Sequence, residues 1–162
     1  MHHYCGLVQT GDEVPDFELP DQNGTIRRLS TMLADGPVVL FFYPAAMTAG
    51  CTKEACHFRD LAAEFAAAGA QRVGISRDPV ARQEQFAGKH SFDYPLLSDA
   101  DGHVAAVFGV ARGRLGHRLG APVKRHTFVI GTDRRLVAVI ASETQMDRHA
   151  DDALAALAGA RS

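Results

Sequence analysis

No stretch of this chain is long and apolar enough to span a bilayer. Charge of one sign is not in excess: 17 Lys and Arg stand against 19 Asp and Glu, a net charge of −2 with His neutral. There is no basic run, so neither nucleic acid nor a membrane surface is an expected partner. The opening residues, MHHYCGLVQTGDEVPDF, lack the charged start and apolar middle of a secretory signal. Cysteine is scarce, and three in 162 residues are too few for a disulfide framework. Internal repeats, low-complexity tracts and linkers are also missing. These absences lead to an expectation of a soluble cytoplasmic protein of one domain, with cysteine present for chemistry or incidental packing. Residues 1–9, with His2, His3 and Cys5, read as a flexible leader, and residues 10–160 as the domain.

The patterning gives an element order. Phe17 to Leu19 and Thr25 to Leu29 flank the turn signal Asp21-Gln22-Asn23-Gly24 and read as an N-terminal β-hairpin. Ser30 is a candidate cap for a short helix that ends before Gly36-Pro37. Val38 to Tyr43 is a continuous apolar run, the pattern of a buried central strand. Ala55, Phe58, Ala62 and Phe65 form one stripe of a helix expected over residues 51–68, ended by Gly69. Arg72 to Ser76 reads as a second buried strand, and Pro79 opens a helix running to about His90. A short strand at Leu96-Leu97 and a short helix at Val104 to Phe108 follow. Residues 109–121 read as a Gly- and Arg-rich loop whose Arg112, Arg114, His117 and Arg118 face either solvent or a reductant. Strands at Thr127 to Ile130 and Leu136 to Ile140 form a hairpin, and Asp147 to Ala160 a closing helix. This order fits an α/β thioredoxin-like fold, a mixed central β-sheet sandwiched by α-helices.

The stretch FFYPAAMTAGCTKEACHFRD, residues 41–60, carries the chemistry. A strand runs into Pro44, a loop, Thr48 and Gly50, and then a thiol, Cys51, at the head of a helix. Free backbone N–H groups and the positive end of the helix dipole meet a side chain placed there, and both favour a thiolate. The thiolate is the reactive form. At the carboxyl end of a central strand, the junction also lies where α/β sheets place their sites. A second thiol, Cys56, follows five residues on. Each of these residues also has a plainer reading: a buried inert thiol for Cys51, a surface thiol for Cys56, a helix-entry hydroxyl for Thr48. Glu54 either positions a cation or is a solvated first-turn acid. Arg59 and Asp60 read as a solvated helix face. His57 beside Cys56 invites a metal site, but no further ligand pair with zinc spacing exists, so no metal is expected.

At Pro44, Thr48 and Cys51 the string P-x-x-x-T-x-x-C resembles the active-site signature of peroxiredoxins. Its extension C-T-K-E-A-C-x-F-R-D, residues 51–60, is similar to the peroxiredoxin Q branch, also called bacterioferritin comigratory protein. The head GDEVPDFELPDQNG and the strand KRHTFVI, residues 124–130, match the same family. The resemblance covers nearly all of residues 10–160. Ala49 departs from it, since many relatives carry proline there.

The resemblance implies a thiol peroxidase acting on hydrogen peroxide or organic hydroperoxides without metal, haem or flavin. It implies that Cys51 is the peroxidatic and Cys56 the resolving cysteine, that Thr48 and Arg125 assist, and that Pro44 shields the thiol. For Arg125 the plainer reading is a surface strand residue in a salt bridge. The implied product is a sulfenic acid on Cys51 that condenses with Cys56 to a disulfide, recycled by thioredoxin or a similar dithiol. In an intact α-helix, positions i and i+5 differ by about 140° and lie roughly 8 to 9 Å apart. A disulfide needs Cα atoms within about 7 Å. The first turns of the helix are therefore expected to unwind before the bond forms. No extended C-terminal arm with a further cysteine is visible, and a monomer is the expected state. Two other readings stay open, a thioredoxin-type thiol–disulfide exchange protein and a non-catalytic binding domain on the same fold. Exchange proteins usually carry C-x-x-C, which this chain lacks.

Overall fold

The computed structural model describes residues 7–160. His2, His3 and Cys5 of the leader lie outside the described residues. Within 7–9, Val8 donates its N–H to the Phe108 carbonyl at 3.3 Å and packs against the core.

The chain begins with a hairpin, β1 (Glu18–Pro20) and β2 (Ile26–Arg28), closed by the expected Asp21 to Gly24 turn. Asp21 organises that turn: its carboxylate accepts from the N–H groups of Asn23 and Thr25. The short helix α1 (Leu29–Met32) follows, with Arg28 rather than Ser30 at its cap position. Ser30 sits inside the first turn, where its N–H and hydroxyl both donate to Asp16 at 2.9 and 2.8 Å. A carboxylate fourteen residues upstream thus supplies the acceptor that the local serine was expected to provide.

The central strand β3 (Val38–Phe42) is buried throughout. Its alternation decides the architecture. Val38, Leu40 and Phe42 point to one face with Leu29, Met32, Val104 and Phe108. Val39, Phe41 and Tyr43 point to the other with Ala55, Phe58, Phe65, Phe86, Ala150 and Leu157. Next come α2 (Ala49–Asp60) and α3 (Ala62–Ala67). The single helix expected over 51–68 is therefore two segments, parted at Leu61, whose φ of −96° and ψ of 22° leave the helical region. Both segments keep the expected stripe, with Phe58 and Phe65 buried and their rings 5.7 Å apart. Gly69 ends α3 with φ +71°, a conformation open to glycine.

The remaining elements are β4 (Gln71–Ser76), α4 (Val80–His90), β5 (Leu96–Ser98), α5 (His103–Phe108), α6 (Gly113–Arg118), β6 (His126–Ile130), β7 (Leu136–Ala141) and α7 (Met146–Ala160). The helix α6 replaces part of the loop expected over 109–121; it lies against Arg77, which donates to the His117 carbonyl at 3.0 Å. The five-stranded sheet runs β5-β4-β3-β6-β7, with β3 parallel to β4 and antiparallel to β6. Helices α1 and α5 cover one face, and α2, α3, α4 and α7 the other. This is a thioredoxin-like α/β sandwich around a mixed sheet. No helix among the described residues is long and apolar enough to cross a membrane.

Candidate active site

The loop between β3 and α2 forms where a buried strand ends and a helix must start. Pro44, half-buried, follows the last strand residues. Thr48 takes the N-cap position of α2 in extended conformation (φ −85°, ψ 157°). Its hydroxyl does not cap the helix; it donates to the Ala45 carbonyl at 2.8 Å, and its oxygen keeps lone pairs for another donor. Gly50 leaves room at this first turn: a Cβ there would stand 3.3 Å from Arg125 Nη2 and 2.9 Å from Met146 Cε.

Cys51 lies in the first turn of α2 and is buried, 1% exposed. Arg125, immediately before β6, brings its Nη2 to 3.4 Å from Cys51 Sγ. Because β6 pairs antiparallel with β3, residues preceding β6 arrive at the end of β3 from which the Cys51 loop departs. Two acids fix Arg125. Its backbone N–H donates to Glu143 Oε1 at 3.1 Å, and its Nη1 to Glu54 Oε1 at 2.7 Å. Arg125 is 5% exposed, so its reading as a surface strand residue is not the observed one.

Glu54 is fully buried, one turn after Cys51, and is not a solvated acid. Burial pushes its carboxyl up to about 8, with Arg125 pulling the other way. Burial also works against the charge of Arg125, yet Glu54 and then Cys51 outweigh it and hold the guanidinium above its ordinary value. Behind Glu54 sits His149 of α7, also fully buried, its Nδ1 3.4 Å from Glu54 Oε2 and 2.7 Å from Thr127 Oγ1. Its Nε2 is 2.8 Å from the Ser142 carbonyl. Burial holds the imidazole below its ordinary value. His149 was not singled out from sequence: a histidine in a helix 98 residues from Cys51 carries no local signal.

The geometry brings Cys51 and Arg125 together with Glu54, with Pro44 and Thr48 on the loop before them. It does not bring Cys56 to Cys51. Both thiols are free, and an unbroken helix carries them. Cys56 is half-buried against the same apolar cluster as Cys51, and burial pushes its thiol up. The C-terminal half of α2 is tied from outside. Tyr94 donates its hydroxyl to the Ala55 carbonyl at 2.6 Å, and Arg72 donates to the Phe58 carbonyl at 3.0 Å. His57 Nε2 lies 2.8 Å from Asp151 of α7, and Arg59 bonds the His90 carbonyl at 2.8 Å. Arg59 is therefore not merely part of a solvated face.

Residues 10–139 match the AhpC/TSA family. A putative peroxiredoxin of Mycobacterium tuberculosis is 68% identical over 155 residues, covering 96% of this chain and 99% of that protein. The chloroplastic peroxiredoxin Q of Oryza sativa subsp. japonica is 37% identical over 150 residues, covering 93% of this chain and 67% of its own length. Peroxidoxin BcpB from Mycobacterium tuberculosis superposes with a TM-score of 0.90 at 68% identity, covering 96% of this chain and 99% of that one. The bacterioferritin comigratory protein of Xanthomonas campestris, whose structures were solved to study its alkyl peroxide reduction, superposes with a TM-score of 0.82 at 30% identity over 97% and 99% of the two chains. A buried thiol under an arginine at the head of a helix, on this fold and among these relatives, has one consistent reading: the chain belongs to the AhpC/TSA family, on its peroxiredoxin Q and bacterioferritin comigratory protein branch.

Proposed function

We propose that the chain reduces hydrogen peroxide and organic hydroperoxides at Cys51. The observation that carries this reading is the 3.4 Å approach of Arg125 Nη2 to the buried Cys51 sulfur. The guanidinium sets a positive charge beside the reacting sulfur. The thiolate attacks the nearer peroxide oxygen and the O–O bond breaks. The departing oxygen takes a proton and leaves as water or alcohol, and Cys51 is left as a sulfenic acid. Negative charge grows on both oxygens as that bond stretches. Arg125 and the Cys51 N–H are the donors for it, each typically worth roughly 3 to 4 kcal/mol when aligned, while the Thr48 hydroxyl, whose proton goes to the Ala45 carbonyl, accepts from the peroxide O–H. Pro44 has no N–H and shields the sulfur without competing for it.

Cys56 then attacks the Cys51 sulfur, expels water and forms the intramolecular disulfide. The first turns of α2 unwind for that step, since the two thiols share an intact helix. An external dithiol of thioredoxin type reopens the disulfide by exchange and carries away the two electrons as its own disulfide. The working unit is a monomeric cytoplasmic domain spanning residues 10–160, with no cofactor. Peroxide consumption with thioredoxin, thioredoxin reductase and NADPH tests the reading. Turnover that is lost in Cys51→Ser supports it; reduction of insulin disulfides without peroxide turnover would replace it with an exchange protein.

A further inference from the structure

The loop that carries Pro44 and Thr48 is held in an uncommon shape by residues far away in the chain. Met47 has φ +68°, the left-handed region that a residue with a Cβ visits rarely. Such a conformation persists where its surroundings over-determine it. On the Met47 side toward α2, the Thr52 N–H donates to the Thr48 carbonyl at 2.9 Å, which is the helix itself. On the other side, the N–H of buried Ala46 donates to Asp78 Oδ2 at 2.8 Å.

Asp78 lies in the turn between β4 and α4, 32 residues from Ala46. It is itself fixed on several sides. Its Oδ2 also accepts from the Ser76 hydroxyl at 2.6 Å, and its carbonyl accepts from the Ser98 hydroxyl at 2.7 Å. Its N–H donates back to Ser76 Oγ at 3.2 Å, and Arg82 Nε stands 3.5 Å from its other carboxylate oxygen. The network then closes on the loop's other end. Gln83 donates to Ser76 Oγ at 3.0 Å and accepts from the hydroxyl of Tyr43, the residue before Pro44. One chain of hydrogen bonds therefore runs Tyr43, Gln83, Ser76, Asp78, Ala46, spanning the start of the loop from both ends. Inside the span, the Ala45 carbonyl orients the Thr48 hydroxyl at 2.8 Å.

We propose that Asp78 is a positioning residue for peroxide reduction. Its carboxylate holds the Ala46 N–H, and with it the Ala45 carbonyl and the Thr48 hydroxyl, in register over the Cys51 sulfur. Asp78 touches neither the sulfur nor Arg125, so it acts on peroxide alignment and not on the reactivity of the thiol itself. This rests on the peroxidase reading above.

The test compares two rates on the same proteins, all in the Cys56→Ser background. One is the single-turnover reaction with hydrogen peroxide; the other is alkylation of Cys51 by iodoacetamide, followed by peptide mapping. Asp78→Ala is expected to slow the peroxide step at least tenfold while alkylation is no slower than in the parent. Asp78→Asn keeps an oxygen for the Ala46 N–H and is expected to stay within about threefold of the parent, the tenfold and threefold losses corresponding to about 1.4 and about 0.7 kcal/mol. Ser76→Ala keeps the carboxylate but removes the hydroxyl that braces it. It is expected to fall between the two, and it carries the test if Asp78→Ala does not fold. An unchanged peroxide rate in Asp78→Ala and Ser76→Ala overturns the proposal. So does a matched fall of both rates, which would mark a merely structural role, and so does an Asp78→Asn protein as slow as Asp78→Ala. A parent protein that reacts with iodoacetamide but not with peroxide would overturn the peroxidase reading first, and the role of Asp78 with it.

Discussion

Arg125 Nη2 stands 3.4 Å from Cys51 Sγ while Nη1 of the same guanidinium is held 2.7 Å from Glu54 Oε1. One planar fork thus touches the sulfur and a buried acid at once, a task an ammonium cannot share. Arg125→Met is expected to lower kcat/KM for peroxide by about 10² to 10³. Arg125→Lys should recover only part of that loss, because its single charge cannot reach both partners in a fixed plane. Stopped-flow measurement of the peroxide step on the three proteins checks this.

Glu54 gives a pH signature. Its folded value, raised to about 8 by burial, exceeds its ordinary value of 4.5. Between those two values the folded chain binds a proton at Glu54 that the unfolded chain has lost, so stability falls as pH rises. The groups around it are Arg125, His149 and Glu143. Glu54→Gln removes the titration and keeps an oxygen for Arg125. The stability of the parent minus that of Glu54→Gln is expected to decline from about pH 4.5 to about pH 8 and to level off above. Urea unfolding of both reduced proteins across that range would reveal it. A difference that rises with pH would mean that Arg125 holds Glu54 ionised instead.

The strands, the hairpins and the head of α2 were legible because their signals are local. Apolar runs, turn residues and the Pro44, Thr48, Cys51 spacing each sit within a few residues. What was not legible depends on pairing across the sheet. Glu54 looks like an ordinary first-turn acid until β6 delivers Arg125 beside it. His149 and Asp78 reach the site from α7 and from the β4–α4 turn, and no spacing in the sequence marks either. Ser30 has the composition of a cap, yet Asp16 takes the role through tertiary contact. The break at Leu61 leaves the apolar stripe intact, so periodicity alone reads straight through it.

The bond between Tyr94 and the Ala55 carbonyl, 2.6 Å and buried, anchors α2 one residue before Cys56. If the helix must open for Cys56 to meet Cys51, loosening that anchor favours opening. Removing one hydrogen bond of this kind is worth about 1 kcal/mol, or about fivefold in the open population. Tyr94→Phe is expected to speed disulfide formation about fivefold and to leave the peroxide step unchanged. Quenched-flow alkylation after a peroxide pulse separates the two rates.

Mass spectrometry after one equivalent of peroxide, on the parent protein and on Cys56→Ser, reads the fate of both sulfurs. The parent is expected to lose two hydrogens and give a Cys51–Cys56 cross-linked peptide, and the variant to gain a single oxygen on Cys51. An unmodified Cys51 in both proteins, with the peroxide still present, would contradict the peroxidase reading.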